Sequence, residues 1–303
     1  TPQFVDVTGD GKIDLLSGCY SDHDPMAGLF QVLRGVEGGF AKAEPLSGAD
    51  GAPLILPSSV DEEDEAAGDT AMLDRICTRP TAADLDADGH LDLLIGNFRG
   101  TFAWWRGTGP GRFAAAPEWL VSSAGKPLAV GHHSDPCAVD WDRDGDLDIV
   151  SGSAGGEISL ALNLGSKTAP RFEPFETIYA APEAGPEGVQ PDDRHVRRPA
   201  GSTRVWVDDI DGDGKLDLLV GDQFTLRIPA AGVSLERAQA AQDEFNAALE
   251  ALQRLFDELD PSDTEAQERI SKAWSEGFDA ARKARAPFVD ERMTGAVWLL
   301  RQR

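Results

Sequence analysis

The sequence predicts an all-β fold of repeated four-stranded antiparallel units, interrupted once by an α-helical hairpin. Three observations predict it. A nine-residue phrase, D-x-(D/T)-x-D-G-x-(I/L)-D, occurs four times, at 6–14, 84–92, 140–148 and 209–217. Each copy leads into a short aliphatic run that ends in glycine: Leu15-Leu16 to Gly18, Leu93-Leu94 to Gly96, Ile149-Val150 to Gly152 and Leu218-Leu219 to Gly221. Beyond the last run the composition shifts to helix formers, with apolar residues three and four apart.

Taken in order, each repeat opens on a short apolar first strand: Phe4-Val5, Ala82-Ala83, Ala138-Val139, and Val205 to Val207. Pro2, Pro80 and Pro136 stand four residues before the first Asp of their loops. The aliphatic run after the loop is the second strand. A recurring phrase farther on, Gly28–Gly35, Gly100–Gly107, Gly156–Asn163 and Gly295–Gln302, is the third. Gly39-Phe40, Arg112-Phe113 and Arg171-Phe172 each open a fourth. Four antiparallel strands at a regular period are the unit of a β-propeller blade, so the expectation is a β-propeller of four recognisable blades. Residues 1–228 are its repeats, 229–294 a helical hairpin insertion, and 295–303 the returning strand of the last blade.

The nine-residue phrase has the chemistry of a calcium loop. Side-chain oxygens at positions 1, 3, 5 and 9, a carbonyl at 7 and a turn-making glycine at 6 can wrap one hard cation. The ligands would be Asp6, Thr8, Asp10, Lys12 and Asp14 in the first loop, and Asp84, Asp86, Asp88, His90 and Asp92 in the second. The third offers Asp140, Asp142, Asp144, Asp146 and Asp148, and the fourth Asp209, Asp211, Asp213, Lys215 and Asp217. Lys12, His90, Asp146 and Lys215 stand at position 7, where the carbonyl is the ligand. Thr8 brings a neutral oxygen, which makes the first site the weakest. The loops are not EF-hands. Position 12 holds Ser17, Ile95, Ser151 and Val220 in place of a bidentate Glu, and strands follow where a helix should. Asp and Gly also make turns without metal, but a turn needs two or three such residues, not four at fixed odd spacing.

With these loops and flanks the chain resembles the FG-GAP (VCBS-type) repeat family, which includes the integrin α-chain propellers and many secreted bacterial proteins. The resemblance covers roughly 1–228 and 295–303. It implies up to four structural Ca2+ ions on one face of a propeller, with partners bound on the opposite face or the rim. Lectin-like and polysaccharide-lyase-associated propellers share the family, so the resemblance does not choose a function. Such propellers usually have about seven blades, whereas four are counted here and the last stops after its third strand. Either the chain is a fragment, or the ring is small or completed by another chain.

In the insertion, Phe245, Leu249, Leu252, Phe256 and Leu259 form an apolar seam, with Ser234 as candidate N-cap. Asp260-Pro261 breaks it. Ser262 to Glu265 is a capping box for a second helix, whose Ala266, Ile270, Ala273, Trp274, Phe278 and Ala281 share a face before Pro287. The plain reading is a hairpin packed on itself; the sharper one is a docking arm, so self-association through the hairpin or through blade completion is among the expected partnerships.

The formal charge is −25, and four calcium ions would bring it to about −17. That excludes nucleic acid as the natural partner. No apolar run approaches a membrane span. Oxygen-only sites fill best where calcium is millimolar, so the expected location is extracellular, at a cell surface or periplasmic. The sequence begins at Thr1, so a leader is expected to be removed or not included. Cys19, Cys77 and Cys137 allow at most one internal disulfide. Asp61 to Glu65 reads as a solvated acidic loop, since a calcium site there would lack the turn glycine.

Polar residues and thiols collect where first strands begin and second strands end: Cys19, Asp22, His23 and Asp24, then Cys77, Arg79, His132, His133, Asp135, His195, Arg197 and Arg198. Three readings compete for them. Arg/Asp pairs could tie neighbouring blades; Arg79, Arg197 and Arg198, with Trp104 or Trp105, could line a glycan- or peptide-binding funnel; or the set could be catalytic or hold a transition metal. Adjacent tryptophans face opposite ways along a strand, so at most one is a ligand platform. The reading adopted is a secreted calcium-binding propeller that binds or scaffolds proteins or glycans, with roles such as cell adhesion or carbohydrate binding, rather than an enzyme. The alternative is a polysaccharide lyase, with His132 or His133 as base and Arg79 or Arg198 neutralising the uronate.

Overall fold

The computed structural model describes residues 2–23, 26–59, 72–181, 188–257 and 264–302. Asp24, the acidic stretch 61–65, Leu259, the Asp260-Pro261 break and the start of the capping box at Ser262 lie outside them, as does the side chain of Phe256. Among the described residues the chain is mostly β, with four larger antiparallel sheets, two two-stranded ones and two α-helices, and it divides into two compact units. One comprises Thr1–Pro182, Pro199–Asp222 and Ala296–Arg303; the other comprises Glu183–Arg198 and Gln223–Gly295.

The first unit holds three sheets and the part of the fourth up to Asp222, with Val297–Leu300. The first sheet runs Gln3–Val5, Asp14–Ser17, Gln31–Leu33, Glu44–Pro45, and the second Arg79–Ala83, Asp92–Gly96, Phe102–Trp105, Glu118–Trp119. The third runs Asp135–Val139, Asp148–Gly152, Ile158–Ala161, Glu176–Tyr179. In the fourth, Gly201–Asp208 lies beside Asp217–Pro229, whose first residues pair with Val297–Leu300. Every first-to-second connection is one of the Asp loops. The fourth strands begin later than the sequence reading has them. Gly39-Phe40 and Arg112-Phe113 instead close small two-stranded hairpins on the ends of the third strands, and Phe172 makes an isolated bridge to Asn163.

Successive sheets pack face to face through three apolar clusters. The first joins Leu16, Phe30 and Val32 to Ala82, Leu93 and Trp105. Leu94, Phe102 and Trp104 meet Ala138, Ile149 and Ala161 in the second. In the third, Val150, Ile158 and Leu160 meet Val207, Leu218 and Leu300. Trp104 and Trp105 do point opposite ways, but both are buried, so neither is the exposed platform the sequence reading allowed. Each cleft between sheets is also latched by backbone. A Cβ on Gly18, Gly96 or Gly152 would stand 1.8, 2.4 or 2.4 Å from the carbonyl oxygen of Thr78, Ser134 or Thr203, so only glycine lets the chains approach. The hydroxyls of those three residues accept from the backbone N–H of Cys19, Asn97 and Ser153 at 2.8, 2.8 and 3.0 Å. Each stands six residues ahead of its loop's first Asp, a repeat the sequence reading did not single out.

The second unit contains α1 (Leu235–Asp257), α2 (Thr264–Arg285) and an antiparallel ribbon pairing Phe224–Pro229 with Val289–Thr294. Ser234 caps α1, its Oγ accepting from Arg237 N at 3.2 Å. The helices pack on each other: Phe245 and Phe278 meet edge to face, Trp274 stacks on Phe278, and Gly277 leaves room for Leu252. Ala273 is exposed, off the predicted apolar face, because that face follows Ala266, Ile270, Trp274 and Phe278. Buried Arg285 lies over Phe245, donates to Gln242 Oε1 at 2.9 Å and pairs with Glu291 at 2.8 Å.

Candidate metal centre

The four loops share one backbone path. Position 6 has a left-handed φ in each: Gly11 84°, Gly89 89°, Gly145 98° and Gly214 86°. Position 4 is left-handed too, in Gly9, Ala87, Arg143 and Gly212, although only two of these are glycine. The carboxylate at position 1 holds the turn. Asp6 accepts from Asp10 N and Gly11 N at 3.0 and 2.8 Å, and Asp84 from Asp88 N and Gly89 N at 3.1 and 3.0 Å. Asp140 accepts from Gly145 N, and Asp209 from Gly212 N and Gly214 N. Position 5 accepts from the N–H of position 7 in all four loops.

What these turns gather is oxygen. Carboxylate oxygens of Asp84, Asp86 and Asp92, of Asp140, Asp142 and Asp148, and of Asp209, Asp211 and Asp213 lie within 4.8 Å of one another in each group. Each loop also buries a polar atom that has no hydrogen-bond partner: Thr8 Oγ1, Asp86 Oδ1, Asp140 Oδ1 with Asp146 Oδ1, and Asp217 Oδ2. A buried oxygen left unpaired costs about 1–3 kcal/mol, and more when charged. One such cost in each of four equivalent loops is what an oxygen-seeking cation would relieve, so the donor set fits Ca2+. In the third loop, burial and the carboxylates of Asp144, Asp148, Asp142 and Asp140 push Asp146 up to about 6.

The position 9 carboxylates do more than the sequence reading assigned them. Asp14 accepts from Thr8 N at 3.0 Å and from Gly35 N at 2.9 Å. Asp92 accepts from Leu85 N and Gly107 N at 2.9 and 2.6 Å, and Asp148 from Trp141 N and Asn163 N at 2.8 and 2.7 Å. Asp217 accepts from Gln302 N at 3.3 Å. In every loop one donor is the last residue of the third-strand phrase, so this Asp bolts the loop to the third strand, and Asp92 and Asp148 also stand in the carboxylate groups of their loops. Burial raises Asp92 and Asp148 above the usual carboxylate range, and these backbone donors oppose the rise.

An arginine one residue earlier on the third strand was also missed. Arg106 pairs with Asp86 at 2.6 Å and Arg301 with Asp211 at 3.3 Å, both at position 3. In the first loop, where position 3 is the uncharged Thr8, Arg34 pairs with Glu44 instead. The third repeat has Leu162 there, so its loop has no such compensating cation and the largest carboxylate count.

Of the polar cluster, the structure brings together Arg79, His133 and Asp135. Arg79 and Asp135 are buried, each five residues before its loop, and Arg204 occupies the same position in the fourth repeat. Asp135 lies between the two guanidinium groups, 3.9 Å from Arg79 Nε and 3.8 Å from Arg204 Nε. Arg79 also donates to the carbonyls of His133 and Ser134 at 3.0 and 3.2 Å, and its guanidinium lies 3.4 Å from His133 Nδ1. Burial, then Arg79, Arg204 and His132, pushes His133 down to about 4. His132 is exposed beside Phe98, and Asp22 pairs with His23 at the surface. His195, Arg197 and Arg198 belong to the second compact unit, where His195 bonds Asp192 at 2.8 Å. All three cysteines are free thiols. Among the described residues, no helix is long and apolar enough to cross a membrane.

A search of curated proteins returns no match for the chain. A family model described as the FG-GAP-like repeat matches it twice, over residues 84–151 and 140–220, each match running from one Asp loop through the next. The chain is an FG-GAP-type repeat protein, and residues 84–220 carry the matched repeats.

Proposed function

We propose that the chain is a secreted β-propeller-type module whose Asp loops hold structural calcium and which binds or scaffolds a protein or glycan partner. The observation that carries this is the unpartnered buried oxygen repeated in all four loops. Calcium at about 100 times its Kd stabilises by about 2.7 kcal/mol per site. The ions act on the fold: each replaces carboxylate repulsion with a fixed turn, and binding free energy becomes folding free energy. Stacked four-stranded sheets and the FG-GAP-like matches support the propeller reading. The lyase alternative loses support because Arg79 spends its donors on backbone carbonyls and Asp135, which suits an inter-sheet tie better than a neutraliser of uronate. The test is thermal melting across a calcium titration. A Tm that falls by several degrees or more in excess EDTA is expected; an unchanged melt would sink the structural role.

A further inference from the structure

We infer that this chain associates head to tail with a second copy of itself, the outer face of its fourth sheet seating on the outer face of the other copy's first sheet. The inference rests on the stacked-sheet part of the proposed function and not on calcium.

The second and third sheets are covered on both sides, and their middle strands are buried at every residue: Asp92–Gly96, Phe102–Trp105, Asp148–Gly152 and Ile158–Ala161. The end sheets alternate. In the first, Leu16 and Val32 are buried, whereas Phe4 on the opposite face is 67% exposed. Phe4, Leu15 and Leu33 are paired directly across three strands, and the Phe40 ring adds to the row 5.8 Å from Phe4. By position relative to the Asp loop, this row corresponds to Ala82, Leu93 and Trp105, or to Ala138, Ile149 and Ala161. Those are the residues with which the second and third sheets receive the sheet before them.

The fourth sheet is the mirror case. Leu219, Val297 and Leu299 occupy the positions of Leu94, Phe102 and Trp104, by which the second sheet grips the third. Here they are exposed, Val297 at 71%, and Trp206 beside them is 47% exposed. Gly221 repeats the pattern. Its counterparts Gly18, Gly96 and Gly152 are pressed against the next sheet's backbone, but a Cβ on Gly221 would meet only Arg204 Cβ at 3.8 Å.

The chain thus carries both halves of an interface it already builds three times internally. The gripping face lies at one end and the receiving face at the other. A second copy supplies the mating face in the orientation used between every internal pair. Placing like face on like face, as a two-fold dimer would, has no precedent among those three contacts. Such a head-to-tail contact either closes into a ring or runs on.

The experiment is size-exclusion chromatography with light scattering on the full chain in saturating calcium, over a range of concentrations. Wild type is expected to exceed one chain's mass as concentration rises. F4D and W206D, each blocking one end at an exposed site, are expected to be monomers alone. Mixed, they are expected to form a one-to-one dimer through the two intact faces, which also shows both to be folded. A wild type that stays monomeric at every concentration overturns the inference, as does self-association of F4D alone or no dimer on mixing. Melting the same samples with and without EDTA keeps this result separate from the calcium reading.

Discussion

Asp148 spends one oxygen on Trp141 N and the other on Asn163 N, whereas Asp142 accepts a single bond from Asp144 N within its own loop. Both stand in the loop's carboxylate group, but only Asp148 also ties the loop to the third strand. Asp148→Ala leaves two backbone donors without their charged acceptor and is expected to cost about 3 kcal/mol or more, since each buried donor so stranded costs about 1–3 kcal/mol. That loss should persist in EDTA. Asp142→Ala is expected to destabilise strongly in calcium and much less in EDTA, and Thr8→Ala less than either in calcium. Denaturant melts of the three variants with and without EDTA check this; equal losses in both conditions for Asp142→Ala would remove it from the ligand set. A second residue-scale expectation concerns His133, held down to about 4 by burial and the nearby arginines. Between that value and the unfolded pKa of about 6.5, the unfolded chain binds a proton the folded chain refuses, so stability rises with pH through this window. His133 stabilisation is complete above it and is lost as pH falls towards 4. Tm against pH should be flatter for His133→Gln than for wild type over that range.

At the scale of the element, close approach between sheets dictates which glycines can change. Gly152→Ala would drive a Cβ to 2.4 Å from Thr203 O and is expected to cost several kcal/mol, whereas Gly221→Ala meets nothing nearer than 3.8 Å and should be almost neutral. Urea midpoints of the two variants test the contrast. These elements also show what was legible beforehand. First, second and third strands followed from period and loop spacing, because aliphatic runs bounded by Asp loops and glycines have few other structures open to them. The fourth strands were misplaced because Gly39-Phe40 and Arg112-Phe113 look like strand starts but are spent on hairpins. Glu44–Pro45 and Glu118–Trp119 are too short and polar to signal themselves. In the site, oxygen ligands were legible from spacing. The partners Arg106, Arg301 and Arg204 were not, since each lies on a different strand from the carboxylate it meets and only the three-dimensional register joins them.

For the whole molecule, a formal charge of −25 makes the ion-free chain self-repelling, with many of the carboxylates concentrated in four loops. Salt should therefore raise Tm in EDTA, as screening replaces part of what the bound cations would do, and should raise it less in saturating calcium. A salt response identical in both conditions would mean that the loops are not where the repulsion is stored. The sequence made the repeat count and the metal chemistry plain, because both are written in short local phrases. It raised completion by another chain from the blade count alone, and left unread which residues form the two uncovered end faces, because exposure depends on which sheet stands beside which.

The clamp between position 9 and the third strand spans 21 residues in the first repeat and 15 in each of the next two, but 85 in the fourth. Closing the longer loop costs about 1.5 kcal/mol more entropy than closing a 15-residue one, on the logarithmic dependence of closure on length. The order of folding follows from that difference. Three sheets can complete themselves from neighbouring sequence as the chain is synthesised, while Asp217–Pro229 waits for Val297–Leu300 to emerge. Until it does, the gripping side of the third sheet lacks its finished neighbour. Refolding should accordingly show the near-UV signal of Trp298, half-buried against that sheet, recovering after the signals of Trp104 and Trp105.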